Sequence, residues 1–438
     1  MTQPISGFSK LSKSEKIDWL INTYFTEAIE ARNVLERYWN SDEQLQQLHD
    51  EFIENTITNF YLPLGVAPNF KINDRLYAIP MAVEESSVVA AASKAAKYWY
   101  ERGGFKTRVI DTVKIGHVHF MFDGDPDHLK RFVERHLNAL KDSAAGLTAK
   151  MEKRGGGLLS MKLVDQTQKL SNYYQLECRF ETKDAMGANF INSCLEQYAA
   201  ELERLAQEEL RTSTKENTVE VVMSILSNYV PECLVYAEVS CPVEQLAEPG
   251  IEPEHFAEKF VQAVQIAEVE PYRAVTHNKG IMNGIDAVVI ATGNDFRAIE
   301  AGIHAYAARS GNYRSLTQAR IEDGNFRFSI EIPLALGTVG GLTKLHPLVR
   351  WCLELLQQPS ARELMQIVAV AGLAQNFGAL KSLVTTGIQQ GHMKMHLLNI
   401  LNQLNATPDE KEKAVTHFKD VPVSHSAAEA LLEKLRNS

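Results

Sequence analysis

The chain has few cysteines, and their spacing matches no familiar site. They are Cys178, Cys194, Cys233, Cys241 and Cys352, an odd number with no CxxC pair among them. This pattern excludes a disulfide framework and a zinc knuckle. We therefore expect reduced thiols, and any redox chemistry has to come from a bound cofactor.

Positive charge and long apolar runs are also scarce. The 45 Lys and Arg residues are outnumbered by 55 Asp and Glu, which gives a formal net charge of −10. This balance argues against sequence-independent binding of nucleic acid. A local electric field in a cleft can still attract an anionic small molecule. No stretch approaches the roughly 20 apolar residues of a spanning helix, and the first twenty residues lack the apolar centre of a signal peptide. We expect a cytoplasmic protein that binds neither nucleic acid nor membrane.

What is present is typical of a folded protein. Of the 438 residues, 45% are apolar and 23% are charged, enough for two or three domains with a large core. Apolar residues at a spacing of three and four predict helices over residues 1–60. The segment ARELMQIVAVAGLAQNFGALKSLVTTGI (361–388) is apolar nearly all round, which predicts a helix buried on most faces. The last 45 residues, from about Met393, are more polar and suit a small mobile cap.

The middle of the chain gives the clearest sign of architecture. An extended stretch over 107–122 is followed by an amphipathic helix, PDHLKRFVERHLNALKD. Two strands, LLSMKLVDQ and YYQLECRFET, come next, then a helix over about 188–210 and a strand, VEVVMSILSN. The order β-α-β-β-α-β is the ferredoxin-like pattern, so we interpret roughly 110–230 as an inserted domain. No GxGxxG follows a strand, which argues against a Rossmann fold.

Five segments combine functional side chains with glycine or other small residues. They are VEESSVVAAAS (83–93), DAMGANFIN (184–192), VTHNKGIMNG (275–284) preceded by EPYRA, GNDFRAIEAGIHAYAAR (293–309) and GIQQGHM (387–393). Taken singly, each is explained at least as well by close helix packing or by a helix cap. HVH (117–119) and HMKMH (392–396) lack a third ligand, so we expect no metal site.

Taken together, the five segments resemble the signatures of the 3-hydroxy-3-methylglutaryl-coenzyme A (HMG-CoA) reductase family, most closely its soluble bacterial form, class II. The resemblance runs from about residue 60 to the C-terminus and includes GLAQNFGA (372–379). It implies a four-electron reduction by NAD(P)H of HMG-CoA to mevalonate and coenzyme A, or the reverse oxidation. It also implies an obligate homodimer, or a higher assembly of dimers, with active sites at the dimer interfaces.

The fold class that follows is α+β with three parts. The resemblance implies a large α/β substrate-binding domain with a central buried helix, formed by 1–109 and 231–385. A ferredoxin-like NAD(P)-binding domain is inserted at 110–230, and a small C-terminal flap covers 386–438.

Four residues match the family's catalytic groups. Hydride attack on a thioester builds negative charge on oxygen, which a preorganised cation stabilises, and by resemblance that cation is Lys279. Asp295 matches the charge partner of Lys279, and Glu85 matches the acid/base group that exchanges protons with the substrate oxygen. His392 matches the histidine that protonates the departing coenzyme A thiolate. We expect the glycines beside Lys279 to permit close approach of the backbone.

Binding residues follow from the same matching. Ser87, Arg273, Asn283 and Gln375 match residues that contact the hydroxymethylglutaryl group, and Arg273 suits a bidentate grip on its carboxylate. Asp184, Met186, Gly187, Asn189 and Asn228 match the dinucleotide site.

The chain departs from the family pattern at the residue that selects the nucleotide. In RGGGLLSMK, Ser160 stands where NADH-dependent members have an acid that repels a 2′-phosphate. Arg154 or Lys162 would attract that phosphate, so the sequence favours NADPH, or use of both nucleotides. VEES replaces VEEP, and GIQQGHM replaces GIQRGHM, without loss of a catalytic group.

Two alternatives remain at this point. A degenerate, non-catalytic ligand-binding relative should have lost one of the four catalytic groups, and all four are present. A thioester hydrolase would use Ser86 or Ser87 as nucleophile, but no GxSxG elbow supports it.

Overall fold

The computed structural model describes residues 4–210, 218–246, 248, 250–385, 397–418, 421 and 423–437. These residues pack as two units, divided after Pro63. The first unit is helical, as the apolar spacing predicted. Side chains of Ser12 and Asp42 cap two of its helices, which are α1 (Lys13–Tyr24), α2 (Ala28–Arg37) and α3 (Glu43–Asp50).

The second unit begins with an antiparallel pair of strands and a helix. These elements are β1 (Leu64–Ile72), β2 (Arg75–Ala82) and α4 (Val88–Tyr100). A four-stranded antiparallel sheet follows in the order β3-β8-β10-β9. Its strands are β3 (Lys106–Val109), β8 (Leu234–Pro242), β9 (Thr317–Glu322) and β10 (Asn325–Pro333).

A second four-stranded sheet is inserted between β3 and β8, with strand order β5-β6-β4-β7. Its elements along the chain are β4 (Lys114–Phe122), α5 (Pro126–Ser143), α6 (Ala145–Glu152), β5 (Gly157–Asp165), β6 (Tyr173–Glu181), α7 (Ala188–Glu209) and β7 (Val219–Leu226). Apart from the short helix α6, this is the predicted β-α-β-β-α-β order. Phe120, Leu176 and Phe180 on one face of the sheet pack with Leu195 and Leu202 of α7 in a separate apolar core.

One predicted element is wrong: residues 107–122 do not form a single strand. The chain leaves the first sheet after Val109 and enters the second sheet at Lys114. At the crossing, Ile110 and Asp111 both donate their N–H to the carbonyl of Leu234. An extended pattern does not say which sheet each part of a segment joins, so the sequence carries no sign of the change of partner.

A large core lies among helices that pack on β1, β2 and the first sheet. The helices after β8 are α8 (Pro253–Val269), α9 (Pro271–Ala291), α10 (Phe296–Ala307), α11 (Leu342–Leu345), α12 (Pro347–Leu355) and α13 (Ala361–Val384). α13 contacts α4, α8, α9 and β8, which confirms the predicted buried helix. Contrary to expectation, α13 has the length and hydropathy of a membrane span, but 67% of its most apolar stretch is buried in the protein.

The C-terminal part of the described chain is helical and has a small apolar core of its own. Residues 397–403 are helical and are followed by α14 (Pro408–His417) and α15 (His425–Arg436). Leu401, Ala414, Ala428 and Leu432 form the centre of this cluster.

Candidate active site

Lys279 lies on the exposed face of α9, where its ammonium contacts a carboxylate from a distant part of the chain. Its Nζ is 2.8 Å from Oε2 of Glu85. The side chain of Lys279 is 60% exposed and that of Glu85 is 41% exposed. Two of the four predicted catalytic residues therefore meet in one chain, at a surface that a ligand can reach.

The turn that carries Glu85 is fixed between a strand and a helix. β2 ends at Ala82 and packs against α9, so residues 83–87 emerge beside that helix. Ser87 then begins α4 in the left-handed conformation, with φ of 77°, and its carbonyl accepts the N–H of Ala91. A serine at positive φ is sparsely populated and persists only where its surroundings fix it, a feature common at functional sites.

The glycines near Lys279 have different surroundings. A Cβ on Gly284 would collide with the carbonyl of Ala371, and one on Gly372 would lie 2.8 Å from Ile285. These two glycines therefore allow α9 and α13 to cross closely. Gly280 has only the Asn376 side chain nearby, at 4.0 Å. Gly284 thus serves the close approach of a neighbouring helix, whereas the surroundings of Gly280 are open.

The predicted substrate residues Arg273, Asn283 and Gln375 lie on or beside α9. Asn283 follows Lys279 by one helical turn and so shares its face. Burial lowers the pKa of the Arg273 guanidinium. Gln375 on α13 is 6% exposed, and its side-chain oxygen accepts no hydrogen bond from the described residues. Burying an amide oxygen without a hydrogen-bond donor costs free energy. This cost suits a side chain that accepts a hydrogen bond from a bound ligand.

A buried polar network behind Lys279 was missed by the sequence analysis. His277 Nε2 lies 2.6 Å from the Thr317 hydroxyl, which donates to Asn376 at 3.1 Å. Asn376 in turn donates to the carbonyl of His277 at 3.3 Å. Burial, and to a lesser extent Arg273, lowers the pKa of His277 to about 3, so its ring is neutral. Asn376 within an otherwise apolar helix was the available signal, since buried polar groups seek partners.

The predicted cofactor residues 184–189 form a loop and the start of α7. Gly187 has φ of 93°, and a Cβ there would lie 2.5 Å from Thr182, so glycine is required. Asp184 accepts the N–H of Ala361, the first residue of α13, at 2.8 Å. Asn189 is exposed in the first turn of α7. Asp184 thus has a structural contact in addition to its predicted role.

Asn228 and Met186 line one small cavity with Ala298 of α10. Asp295 caps the same helix, with its Oδ1 accepting the N–H groups of Arg297 and Ala298 at 3.0 and 3.2 Å. Its other oxygen is 3.2 Å from Nη2 of Arg297. Asp295 therefore lies with the cofactor residues.

The predicted pairing of Asp295 with Lys279 does not form within one chain. The last 12 residues of α9, a helical length of about 18 Å, follow Lys279, and Asp295 comes after them in the chain. In the described residues Lys279 contacts Glu85, and Asp295 contacts Arg297. The described residues of one chain therefore hold two groups of predicted site residues, which we call the substrate group, around Lys279, and the cofactor group, around Met186, Asn228 and Asp295.

Ser160 is exposed on β5, opposite Arg179 of β6. Lys162, one of the two cations that we expected near a 2′-phosphate, lies 3.1 Å from Glu177. His392 lies outside the described residues, as do residues 386–396 as a whole. In the described ranges, no group of three or more His, Cys, Asp and Glu is arranged to hold a metal ion.

Comparison with protein families and curated proteins gives a consistent result. A family model for hydroxymethylglutaryl-coenzyme A reductase matches residues 18–397. The 3-hydroxy-3-methylglutaryl-coenzyme A reductase of Archaeoglobus fulgidus is 37% identical over 441 residues, which cover 100% of this chain and 96% of that protein. A probable enzyme of the same name from Borreliella burgdorferi is 35% identical over 402 residues, with coverage of 89% and 88%.

Solved structures agree. A 3-hydroxy-3-methylglutaryl-coenzyme A reductase from Streptococcus pneumoniae matches with a TM-score of 0.73 and 36% identity, over 98% of this chain and 100% of that one. A structure described as the class II enzyme of the same organism, bound to NADPH in open conformations, matches with a TM-score of 0.72 and 36% identity. It covers 87% of this chain and 100% of its own.

Proposed function

Because the chain belongs to the hydroxymethylglutaryl-coenzyme A reductase family and is an oxidoreductase, we propose that it reduces HMG-CoA to mevalonate and coenzyme A at Lys279 and Glu85. The observation that carries this proposal is the 2.8 Å contact between these two side chains on an exposed helix face. An ammonium paired with a carboxylate supplies both a cation for a developing oxyanion and a route for its proton.

Lys279 acts first on the thioester. When bound, the nicotinamide supplies the hydride that converts the thioester carbonyl into a tetrahedral oxyanion. The Lys279 ammonium stabilises this oxyanion, and a proton passes to it along the contact with Glu85 to give the hemithioacetal. As the C–S bond breaks, Glu85 takes that proton back and His392 protonates the leaving thiolate, whose ordinary pKa is near 8.5. Lys279 and Glu85 then serve the reduction of the aldehyde to the alcohol, for which a second NAD(P)H would supply the hydride.

The loop before α7 fits a dinucleotide. Gly187 is the N-cap of the 22-residue helix α7, and no side chain caps this helix, so its first N–H groups suit a phosphate. Met186 and Asn228 line the adjacent cavity. We propose that these residues, with Asn189 and Asp184, hold NAD(P)H. We also propose that Ser160 permits NADPH, because serine lacks the negative charge with which an acid would repel the 2′-phosphate.

The proposed domain division is that predicted from the sequence, with 110–230 inserted into 1–109 and 231–385 and a flap at 386–438. The separate core between α7 and the sheet β5-β6-β4-β7 supports it. A cytoplasmic location remains a prediction from the sequence.

We further propose a homodimer in which Asp295 of one copy meets Lys279 of the other. The helical length that separates the two residues in one chain supports this arrangement. Tyr272 and Val275, 88% and 54% exposed, lie on the same face of α9 as Lys279 and offer apolar surface to a second copy.

A stoichiometric assay tests the proposed function. Purified protein with limiting HMG-CoA should oxidise about two NAD(P)H per coenzyme A released, because two hydrides are needed. Glu85→Gln should abolish oxidation, whereas Glu84→Gln, its neighbour in the same turn, is the matched control. Absence of oxidation with both nucleotides would refute the reductase, and release of coenzyme A without oxidation would indicate a hydrolase instead.

A further inference from the structure

A buried lysine at the start of β4 has no part in the chemistry proposed above. Lys114 is 4% exposed, and burial lowers the pKa of its ammonium. Removing an ammonium from water is costly, and a well-packed apolar residue of similar size is often neutral or stabilising in its place. Stability alone therefore gives a weak reason for a charge at this position.

The hydrogen bonds of Lys114 all go to the loop that precedes α7. Its Nζ donates to the hydroxyl of Thr182 and, at 3.2 Å, to the carbonyl of Ala185. The Thr182 hydroxyl donates to the same carbonyl at 2.7 Å. The carboxylates of Glu181 and Asp184 lie near enough to favour the charged ammonium. The Lys114 ammonium and the Thr182 hydroxyl therefore hold Thr182 and Ala185 together, which closes the loop.

The opposite side of the loop is held by residues 337–339. Thr338 and Val339 donate their N–H groups to the carbonyl of Asp184, at 2.8 and 3.2 Å. A Cβ on Gly337 would collide with the backbone nitrogen of Met186. Residues 182–187 are therefore held between this segment and Lys114. These contacts, which we call the clamp, fix the positions of Met186 and of the first turn of α7.

We propose that Lys114 is a positioning residue for the nicotinamide nucleotide. Its ammonium holds the 182–187 loop in the geometry that presents Met186 and Gly187, and it lines the same cavity as Met186 and Asn228. This inference rests on the proposed function, in which that loop binds NAD(P)H. The substrate group around Lys279 is not contacted by Lys114 and should be unaffected by its loss.

The test is Lys114→Met, which keeps most of the side-chain volume and removes the charge. Loss of a charged hydrogen bond to the loop should raise KM for NADPH and its Kd in a fluorescence titration about tenfold. KM for HMG-CoA should stay within about twofold, since the substrate group is separate. Lys106→Met is the matched control, because Lys106 is an exposed lysine on β3 that pairs with Asp74 at 2.6 Å.

A second variant keeps the proposal testable if Lys114→Met fails to fold. Thr182→Val removes the bridging hydroxyl and should raise the nucleotide KM similarly, while Thr182→Ser restores it. The double variant should be no worse than either single one, because both remove the same clamp. A folded Lys114→Met enzyme with unchanged nucleotide KM and Kd would overturn the proposal. A wild-type protein that binds NADPH but does not oxidise it with HMG-CoA would instead refute the proposed function.

Discussion

Glu85 and Lys279 form a contact that is weak in the free protein and that would be stronger in a site closed over a substrate. Both side chains are partly exposed, and an exposed ion pair contributes little to stability because water and salt screen it. A substrate that displaces this water lowers the local dielectric, and the same ammonium then stabilises a developing oxyanion far more effectively. The contact therefore contributes little to folding, which agrees with the catalytic role proposed for the pair.

Lys279→Ala should lower kcat/KM for HMG-CoA by roughly 10²–10³-fold or more, as removal of a preorganised oxyanion partner does. Thermal stability should change little, since the lost contact is exposed. Steady-state kinetics and a melting curve on the same sample provide the check. Activity within tenfold of wild type would remove Lys279 from the chemistry.

Ser160→Asp should shift preference from NADPH towards NADH. A carboxylate on exposed β5 would repel a 2′-phosphate and accept a hydrogen bond from a 2′-hydroxyl. The ratio of kcat/KM for the two nucleotides should move by about tenfold or more towards NADH, a change that corresponds to about 1.4 kcal/mol. An unchanged ratio would show that another residue selects the nucleotide.

Asp286, seven positions after Lys279, gives a prediction about pH. Burial, with contributions from Glu300, raises the pKa of Asp286 to about 8. An unfolded aspartate has already lost its proton near pH 4, so between about pH 4 and 8 the folded state holds the extra proton. Stability from this group is therefore lost as pH rises through this range.

The Asp286→Asn variant has no carboxyl group at position 286 that could lose a proton. Its Tm should therefore fall less between pH 6 and 8.5 than that of wild type. Asp323→Asn is the control, because Asp323 is exposed in the turn between β9 and β10 and asparagine tolerates its φ of 48°. Equal pH dependence in Asp286→Asn and wild type would exclude this role.

At the scale of elements, the site depends on how closely α9 and α13 cross. Gly284 and Gly372 bring the two helices together, so that Gln375 lies against the helix that carries Lys279 and Asn283. The network of His277, Thr317 and Asn376 fixes the same contact by hydrogen bonds.

Gly284→Ala should therefore separate the helices. We expect a loss of about 1–3 kcal/mol in the free energy of unfolding, as in other overpacked cores, together with a raised KM for HMG-CoA. Gly146→Ala is the matched control, because Gly146 lies in α6 with open space around it and should be slightly stabilised. Denaturant unfolding of both variants checks the expectation, and equal stability would contradict it.

The comparison of sequence with structure also belongs at this scale. The β-α-β-β-α-β order and the buried α13 were predictable because apolar period and length report local structure directly. The change of sheet between Val109 and Lys114 was not, because an extended pattern does not say which partner each strand takes. The close contact of Lys279 with Glu85 joins residues 194 positions apart, which only the resemblance indicated.

At the scale of the whole molecule, the division of the site into two groups has a consequence for assembly. Within one chain Lys279 contacts Glu85, whereas Asp295 caps α10 and contacts Arg297, so the two predicted groups do not meet. In the proposed twofold dimer, the Lys279 group of each copy would meet the Asp295 group of its partner, which would make two equivalent sites.

Mixed dimers test this arrangement. Lys279→Ala and Asp295→Asn should each be inactive as homodimers. In a heterodimer purified through two different tags, one site carries both substitutions and the other carries neither, so about half of the wild-type activity should return. If both residues of a site came from the same chain, each site of the heterodimer would keep one substitution and the heterodimer would be as inactive as its parents. Restored activity therefore requires that Lys279 and Asp295 act across the dimer interface.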